Sequence, residues 1–376
     1  MKIMFGGGGT GGHFYPIIAI VQALNEIIDK EKILNAKIYF LSTTPYNKRV
    51  LFENSITYRK IPAGKLRRYF SILNFFDVFK TIIGIFKSLW VIYSIYPDVI
   101  FGKGGYASFP TLLAARILKI PVFIHESDSV PGKTNIWASK FAKRIAISYE
   151  EASNYFPKEK TAHTGQPIRE DILKPLHEGA YEFLKLNPTV PTILILGGSQ
   201  GSELINDTAL RALPELLPKY QIIHQVGNTN LDTVEKLASV IIKDSPYKDR
   251  YRVFGYLNDL SLRMSSGISR LVISRAGSTI FEIAAWGLPS IIIPITDSSG
   301  DHQRKNAFNY ARFGACTVVE ENNLSPHVLI SEIKKIMETA VLEDKMRKGA
   351  KNFYHPDAAR TIAKGIISIA LEHESR

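Results

Sequence analysis

The chain has 376 residues, more than one hydrophobic core usually serves, so two domains are expected. With 45% hydrophobic and 22% charged residues, the composition is that of an ordinary globular protein and excludes disordered and collagen-like classes. The single cysteine, Cys316, excludes an internal disulfide and any Cys-based zinc pattern, and it fits a reducing cytosol. The net charge of +12 is lopsided: residues 1–160 carry 22 Lys and Arg against 11 Asp and Glu, whereas the remainder carries 25 against 24. A basic half beside a neutral half points to an anionic partner for the first half, nucleic acid or an anionic membrane surface, or to a solubility bias with no partner.

Strand and helix patterns alternate along the chain. Residues 2–5 form a short apolar strand that runs into a glycine cluster, unlike a signal peptide. Ile17, Val21, Leu24 and Ile28 then make a helical stripe. Strands are expected over 37–41, 98–101, 121–125 and 144–148, with helices over 111–118 and 135–141 among the connections. The series restarts with a strongly apolar strand over 192–196, a helix ending near Leu217, and strands over 221–225, 251–254, 271–273 and 290–293. This is the pattern of two α/β domains, each a parallel sheet with helices on both faces. The expected division is 1–165 with about 353–376 for the first domain and 166–352 for the second. The last helix, about 358–372, is a candidate to cross back to the first domain.

Residues 65–97 stand apart. Ile72, Leu73, Phe75, Phe76, Phe79, Ile82, Ile83, Phe86, Leu89 and Trp90 are interleaved with Lys65, Arg67, Arg68, Lys80 and Lys87. The lysines interrupt the run of about 20 apolar residues that a membrane span needs. The segment reads as amphipathic, its apolar face on a bilayer and its basic rim on anionic headgroups. Packing into the first domain's core is the alternative.

Four clusters carry chemistry. The first, Gly6-Gly7-Gly8-Gly9-Thr10-Gly11-Gly12-His13, lies between a strand and a helix, where backbone amides and the helix dipole favour an anion. No acid follows the second strand and no Walker lysine is present, so a nicotinamide or ATP site loses support. His13 at the helix start is disfavoured as imidazolium, as a general base requires; a capping role is the plainer reading. The second, Gly197-Gly198-Ser199-Gln200-Gly201, suits a diphosphate, with Ser199 either a ligand or a helix cap. The third runs from Ser274 through Arg275, Ser278 and Thr279 to Glu282. Its glutamate suits a ribose diol, but Thr279-x-x-Glu282 equally fits a capping box. In the fourth, Gln303 and Asn306 share a helix face and suit sugar hydroxyls, with Asp301 as a possible cap.

Taken in order, Gly8–His13 with Pro16, Gly102-Lys103-Gly104-Gly105-Tyr106 with Ser108 and Pro110, His125-Glu126, Gly197–Gly201, Ser274–Gly277 and Asp301-His302-Gln303 with Asn306 resemble the MurG family of bacterial transferases, in glycosyltransferase family 28. The resemblance implies a GT-B fold, two Rossmann-like domains facing a cleft. It implies inverting transfer of GlcNAc from UDP-GlcNAc to the C4 hydroxyl of MurNAc in lipid I (undecaprenyl-pyrophosphoryl-MurNAc-pentapeptide), giving lipid II at the cytoplasmic face of the membrane. Arg169, Ser199, Gln200, Asn206, Leu257, Arg275, Ser278, Thr279, Glu282, Gln303 and Asn306 are implied on the donor side. Thr10, Gly11, Gly12, His13, Tyr106, Glu126 and Asn135 are implied on the acceptor side, with His13 as the base. The family commonly carries Gln-Asn where this chain has Ser127-Asp128, and its Arg-Ala-Gly loop is usually one residue longer than the stretch before Glu282. No Asp-x-Asp pair is present, so neither a metal nor another cofactor is expected. The rival readings are a related lipid galactosyltransferase, a UDP-GlcNAc epimerase, or a nucleic-acid-binding protein using the basic half. The last has no recognisable binding motif.

Overall fold

The computed structural model describes residues 1–64, 72–198 and 200–374. It divides into two units, Met1–Arg169 with His355–Arg376, and Glu170–Tyr354. Each unit is built on its own parallel sheet.

In the first unit the elements are β1 (Lys2–Gly6), α1 (Gly11–Lys30), β2 (Lys37–Ser42), α2 (Lys48–Glu53), β3 (Ile56–Lys60), α3 (Ile72–Ile95), β4 (Val99–Gly102), α4 (Phe109–Ile117), β5 (Val122–Glu126), α5 (Lys133–Ser139), β6 (Arg144–Ile147) and β7 (Thr161–His163). The strand order is β3-β2-β1-β4-β5-β6-β7, parallel throughout. The second unit has α6 (Ala180–Leu184), β8 (Thr192–Leu196), α7 (Glu203–Leu216), β9 (Gln221–Gln225), α8 (Leu231–Ile241), β10 (Tyr251–Phe254), α9 (Asp259–Ile268), β11 (Ser269–Ser274), α10 (Thr279–Trp286), β12 (Ser290–Ile292), α11 (His302–Arg312), β13 (Cys316–Val318), α12 (Pro326–Met337) and α13 (Ala340–Phe353). Its order is β10-β9-β8-β11-β12-β13, again parallel. The chain then returns to the first unit as α14 (Ala358–Glu374).

Both sheets share the doubly wound order in which the first strand lies between the second and the fourth. The reversal of winding opens a crevice at the carboxyl ends of the first and fourth strands, where ligands bind in such folds. In the first unit those ends deliver Gly7–Thr10 and Lys103–Gly105; in the second they deliver Gly197–Gly201 and Arg275–Ser278.

Central strands are buried on both faces because helices cover both, and β9 carries Gln221, His224 and Gln225 there beside its isoleucines. β8 and β9 are buried at every position. The three strands that the sequence pattern did not suggest, β3, β7 and β13, are all sheet edges. Edge strands need cover on fewer sides, and β3 accordingly exposes Thr57, Arg59 and Lys60. The core of the first unit joins Phe5, Phe14, Ile17, Phe40 and Phe101 to Ile362, Ile366 and Ile369 of α14. The candidate return helix is thus an integral wall of that core.

Three capping expectations are corrected. Helix α7 begins at Glu203, and Ser202 rather than Ser199 is its cap, accepting from the Ile205 N–H. Helix α10 begins at Thr279 with no side-chain cap, so Thr279 and Glu282 do not form a capping box. Asp301 sits in the left-handed region (φ 59°) and caps nothing; Ser298 Oγ accepts from the Gln303 N–H instead.

Helix α3 is inverted relative to an ordinary surface helix. Most of the positions it turns inward, Asp77, Thr81, Gly84 and Ser88, are small or polar; Val91 and Ile92 near its end join the core. A Cβ on Gly84 would stand 1.9 Å from the Pro62 carbonyl oxygen, and Thr81 Oγ1 accepts from the Gly64 N–H at 3.0 Å. Outward it presents Phe75, Phe79, Ile82, Ile83, Phe86, Trp90 and Tyr93, with Phe86 68% and Trp90 71% exposed. These positions recur at three- and four-residue spacing, so they form one continuous stripe. Core packing is therefore not their role. Lys65, Arg67 and Arg68 lie outside the described residues.

Candidate active site

The first unit gathers the acceptor-side residues around the glycine turn after β1. Gly8 has φ +103°, and a Cβ there would lie 2.6 Å from Ser42 Oγ; only glycine takes this backbone without strain. Thr10 occupies the cap position of α1, yet its hydroxyl makes no cap bond. It pairs instead with His13 Nδ1 at 2.8 Å. With Nδ1–H donating to Thr10, the Nε2 lone pair is left to accept a proton. A Cβ on Gly105 would sit 3.3 Å from His13 Nε2, so the glycine after Lys103-Gly104 keeps that edge of the ring clear. Burial, then the Lys103 ammonium, lower the His13 pKa to about 4 against an opposing contribution from Asp128. The ring is neutral at physiological pH. Gly11 and Gly12 are half-buried beside it, and the Tyr106 hydroxyl approaches Gly9.

Glu126 and Asn135 form a buried brace. Glu126 Oε1 accepts from the N–H groups of Ser127 (2.8 Å) and Asp128 (3.1 Å); Oε2 accepts from the Gly132 N–H (3.0 Å) and Asn135 Nδ2 (2.9 Å). Asn135 Nδ2 also donates to the His125 carbonyl at 3.0 Å. Burial, then Asp128, raise the Glu126 pKa, while Asn135 and the loop amides oppose the rise. The pair shapes the loop following β5.

Arg169 closes the first unit rather than opening the second. Its guanidinium lies 3.9 Å over the Tyr15 ring, which meets Tyr46 edge-on at a centroid distance of 5.7 Å. Cation–π contact and burial hold the charge in one place. Tyr15 was not singled out in the sequence; its signal is an aromatic two residues after His13, on a helix whose other side is core.

In the second unit, Gly201 has φ +79° and a Cβ there would stand 1.9 Å from the Val226 carbonyl oxygen, so this turn too requires glycine. Ser199 lies outside the described residues, and the neighbouring Gln200 is exposed. Gln225, also unsuspected from sequence, ties the turn to the loop after β10. Its Nε2 donates to the Gly198 carbonyl (3.0 Å) and its Oε1 accepts from the Leu257 N–H (3.0 Å). The only signal was an amide closing the buried strand β9. Asn206 accepts from His224 Nε2 at 3.1 Å and donates to the Val226 carbonyl, fastening α7 to β9. His224 Nδ1 then accepts from the Tyr251 hydroxyl at 2.9 Å. Arg275 reaches Ser202 Oγ (2.6 Å), the Ile293 carbonyl (3.2 Å) and Glu321 (2.6 Å), joining three loops at the carboxyl edge of the sheet. Ser278, Thr279 and Glu282 are half-buried beyond Gly277, next to which a Cβ would meet nothing. Gln303 Oε1 accepts from the Ile295 N–H, and the buried Asn306 donates to the Ala276 carbonyl. Gln303 and Asn306 therefore stand at the same edge, with Asn306 turned inward.

Two doubly wound units, each with a glycine turn at its topological switch point, make up the GT-B fold. Family models identify the chain further. The glycosyltransferase family 28 N-terminal domain matches residues 3–147, and the family's C-terminal domain matches residues 192–362. The chain belongs to glycosyltransferase family 28. It is 37% identical, over 97% of its length and 99% of the relative's, to the Bacillus cereus UDP-N-acetylglucosamine--N-acetylmuramyl-(pentapeptide) pyrophosphoryl-undecaprenol N-acetylglucosamine transferase 2. A Clostridium perfringens transferase of the same description is 36% identical over 89% of this chain and 90% of its own. Among solved structures, Acinetobacter baumannii MurG superposes with a TM-score of 0.72 at 26% identity, covering 98% of this chain and 99% of that one. A UDP-GlcNAc 2-epimerase from Neisseria meningitidis reaches a TM-score of 0.67 at 17% identity, covering 98% of this chain and all of that one. That likeness is one of fold.

Proposed function

We propose that this protein transfers GlcNAc from UDP-GlcNAc to the C4 hydroxyl of MurNAc in lipid I, forming lipid II with inversion at the anomeric carbon. The observation that carries the reading is 37% identity along virtually the whole chain to a transferase of that description. The epimerase alternative rests on fold alone, and a nucleic-acid-binding role leaves both glycine turns without a purpose.

The chemistry is a single displacement. The acceptor C4 oxygen bonds to C1 of GlcNAc as the C1–O bond to UDP breaks, and the hydroxyl proton passes to His13 Nε2. Thr10 fixes the ring, and Tyr106, Gly11 and Gly12 flank the acceptor. On the donor side, the amides of Gly197–Gly201 with Ser199, Gln200 and Arg169 stabilise the negative charge that develops on the diphosphate. The Leu257 main chain adjoins uracil, Glu282 takes the ribose hydroxyls, and Ser278, Thr279 and Gln303 face the sugar. Arg275, Asn206, Asn306, Glu126 and Asn135 act through bracing, because their polar groups already hold main chain or neighbouring side chains. The decisive assay is transfer of radiolabelled GlcNAc from UDP-GlcNAc to a lipid I analogue, with UDP-galactose as competitor. A folded protein that makes no disaccharide product refutes the reading.

The lipid acceptor brings the protein to the cytoplasmic face of the membrane as a peripheral enzyme. Helix α3 is long and apolar enough to cross a bilayer by composition. Its polar inner face packed on Pro62–Gly64 supports lying on the surface instead, aromatic stripe down and Lys80 and Lys87 toward headgroups. Substituting Phe86 and Trp90 together by serine should lower binding to phosphatidylglycerol vesicles by about tenfold or more. The melting temperature should hold, since both side chains are exposed. Co-sedimentation at rising salt checks the basic contribution, which must weaken as charges are screened.

A further inference from the structure

Lys103 takes part in no step above, yet it is one of the most deeply buried polar side chains in the first unit, 2% exposed. A lysine withdrawn from water to this extent requires partners that repay its lost hydration. Its N–H donates to the Gly6 carbonyl at 3.0 Å, and a Cβ on Gly7 would meet the Lys103 Cβ at 3.1 Å. The residue is therefore stacked directly against the first glycine turn. Nζ donates to Ser127 Oγ. Ser127 Oγ donates in turn to Gln166 Oε1 at 2.9 Å, and Ser148 Oγ donates to the same oxygen at 2.8 Å. His125 Nε2 lies 3.2 Å from both Ser148 Oγ and the Gly165 carbonyl.

The charged and titratable groups around the ammonium come from every adjoining element: His13 on α1, His125 and Glu126 on β5, and Asp128 in the loop that follows. Burial lowers the Lys103 pKa to about 8, opposed by Glu126 and Asp128. One cation thus serves a carboxylate at the end of β5 and another on the loop that follows, and lies within electrostatic reach of the imidazole.

We propose that Lys103 is a positioning residue of the acceptor half-site: its ammonium, anchored on Ser127 Oγ, pins the Ser127–Gly132 loop to the first glycine turn and fixes a positive charge in the half-site that carries His13. The catalytic consequence rests on His13 being the base; the positioning does not. Ser127 is the position at which this chain departs from its family's usual glutamine, and its hydroxyl is what receives the lysine head.

The test is a histidine NMR titration of the full-length protein, with His13 assigned through His13→Gln, combined with amide hydrogen exchange of residues 127–132. In the wild type, His13 titrates below pH 5. In Lys103→Met its midpoint rises by about one pH unit or more, because a repelling cation is lost while Asp128 remains. Ser127→Ala leaves the cation in place, so the midpoint stays within about 0.3 unit, but loop amides exchange at least about tenfold faster. A folded Lys103→Met protein with an unmoved His13 midpoint overturns the proposal. So does unchanged loop exchange in Ser127→Ala, which decides the matter should Lys103→Met not fold. Neither readout uses turnover. An absence of GlcNAc transfer alongside the expected shifts refutes the function and not the role of Lys103.

Discussion

Replacing His13 by alanine is expected to reduce kcat for GlcNAc transfer by about 10²–10⁴-fold, the usual contribution of a positioned general base. Binding of UDP-GlcNAc should change little, because apart from Arg169, which stacks on Tyr15, the residues assigned to the donor belong to the second unit and His13 to the first. Single-turnover transfer and equilibrium titration of UDP-GlcNAc separate the two quantities. Retention of kcat within about threefold would remove His13 from the base role. The pH dependence provides a second check. With a pKa of about 4, the ring keeps its lone pair throughout the physiological range, so kcat/KM of the wild type should fall only below about pH 5. The kcat profile reports the complex. An anionic pyrophosphate arriving beside the ring stabilises imidazolium, so that limb should lie at higher pH. Stability follows by linkage. The native ring binds a proton less readily than the unfolded one, so between pH 6.5 and 4 the unfolded state holds more protons and stability declines as pH drops. His13→Ala removes this contribution, and its melting temperature relative to wild type should improve on going from pH 7.5 to pH 5.

The second large effect concerns folding. Glu126→Ala should destabilise the first unit by about 3–5 kcal/mol, the range for breaking a buried charged network. The carboxylate serves four donors, the N–H groups of Ser127, Asp128 and Gly132 and the amide of Asn135, and alanine leaves all four without it. Because the same loop carries Asp128 and anchors Lys103 through Ser127, acceptor KM should rise together with the loss of stability. Denaturant unfolding measures the first and steady-state kinetics the second. A midpoint within about 0.5 kcal/mol of wild type, the range of an ordinary surface substitution, would mean that water replaces the carboxylate and that the brace is dispensable.

Much of this was legible in the chain itself. The ten strands inferred from apolar runs are the central strands and the edge strand β10, and their boundaries shift by at most two residues or so. They were readable because helices cover both faces of each sheet, which imposes an uninterrupted apolar pattern. The edge strands β3, β7 and β13 lack that constraint and carry no comparable signal. Glycine turns could be located because their backbone excludes other residues, as Gly8 and Gly201 demonstrate. What sequence could not distinguish was whether a polar side chain faces a ligand or a neighbouring backbone. Asn206, Asn306 and Asn135 have the residue type of sugar-binding groups, yet each donates to a main-chain carbonyl. Lys103, Gln225 and Tyr15 carry only weak local signals; their importance comes from contacts that only the fold creates. The outward apolar stripe of α3 was read from its interleaved basic residues, since periodicity alone shows a stripe but not which side of it meets the protein.

The return of α14 bears on how the polypeptide emerges from the ribosome. The second unit is one continuous stretch, Glu170–Tyr354, whereas the first is completed only by His355–Arg376. Ile362, Ile366 and Ile369 fill the face of the first sheet that carries Phe5 and Phe101. Until residues 355–376 have been synthesised, that face has only the partial cover of α1. The half made first must therefore be finished last, and during the interval its apolar strands are open to chaperones and to aggregation. A stop codon just upstream of α14 would spare every residue assigned to the chemistry and still yield a chain whose amino-terminal half cannot close.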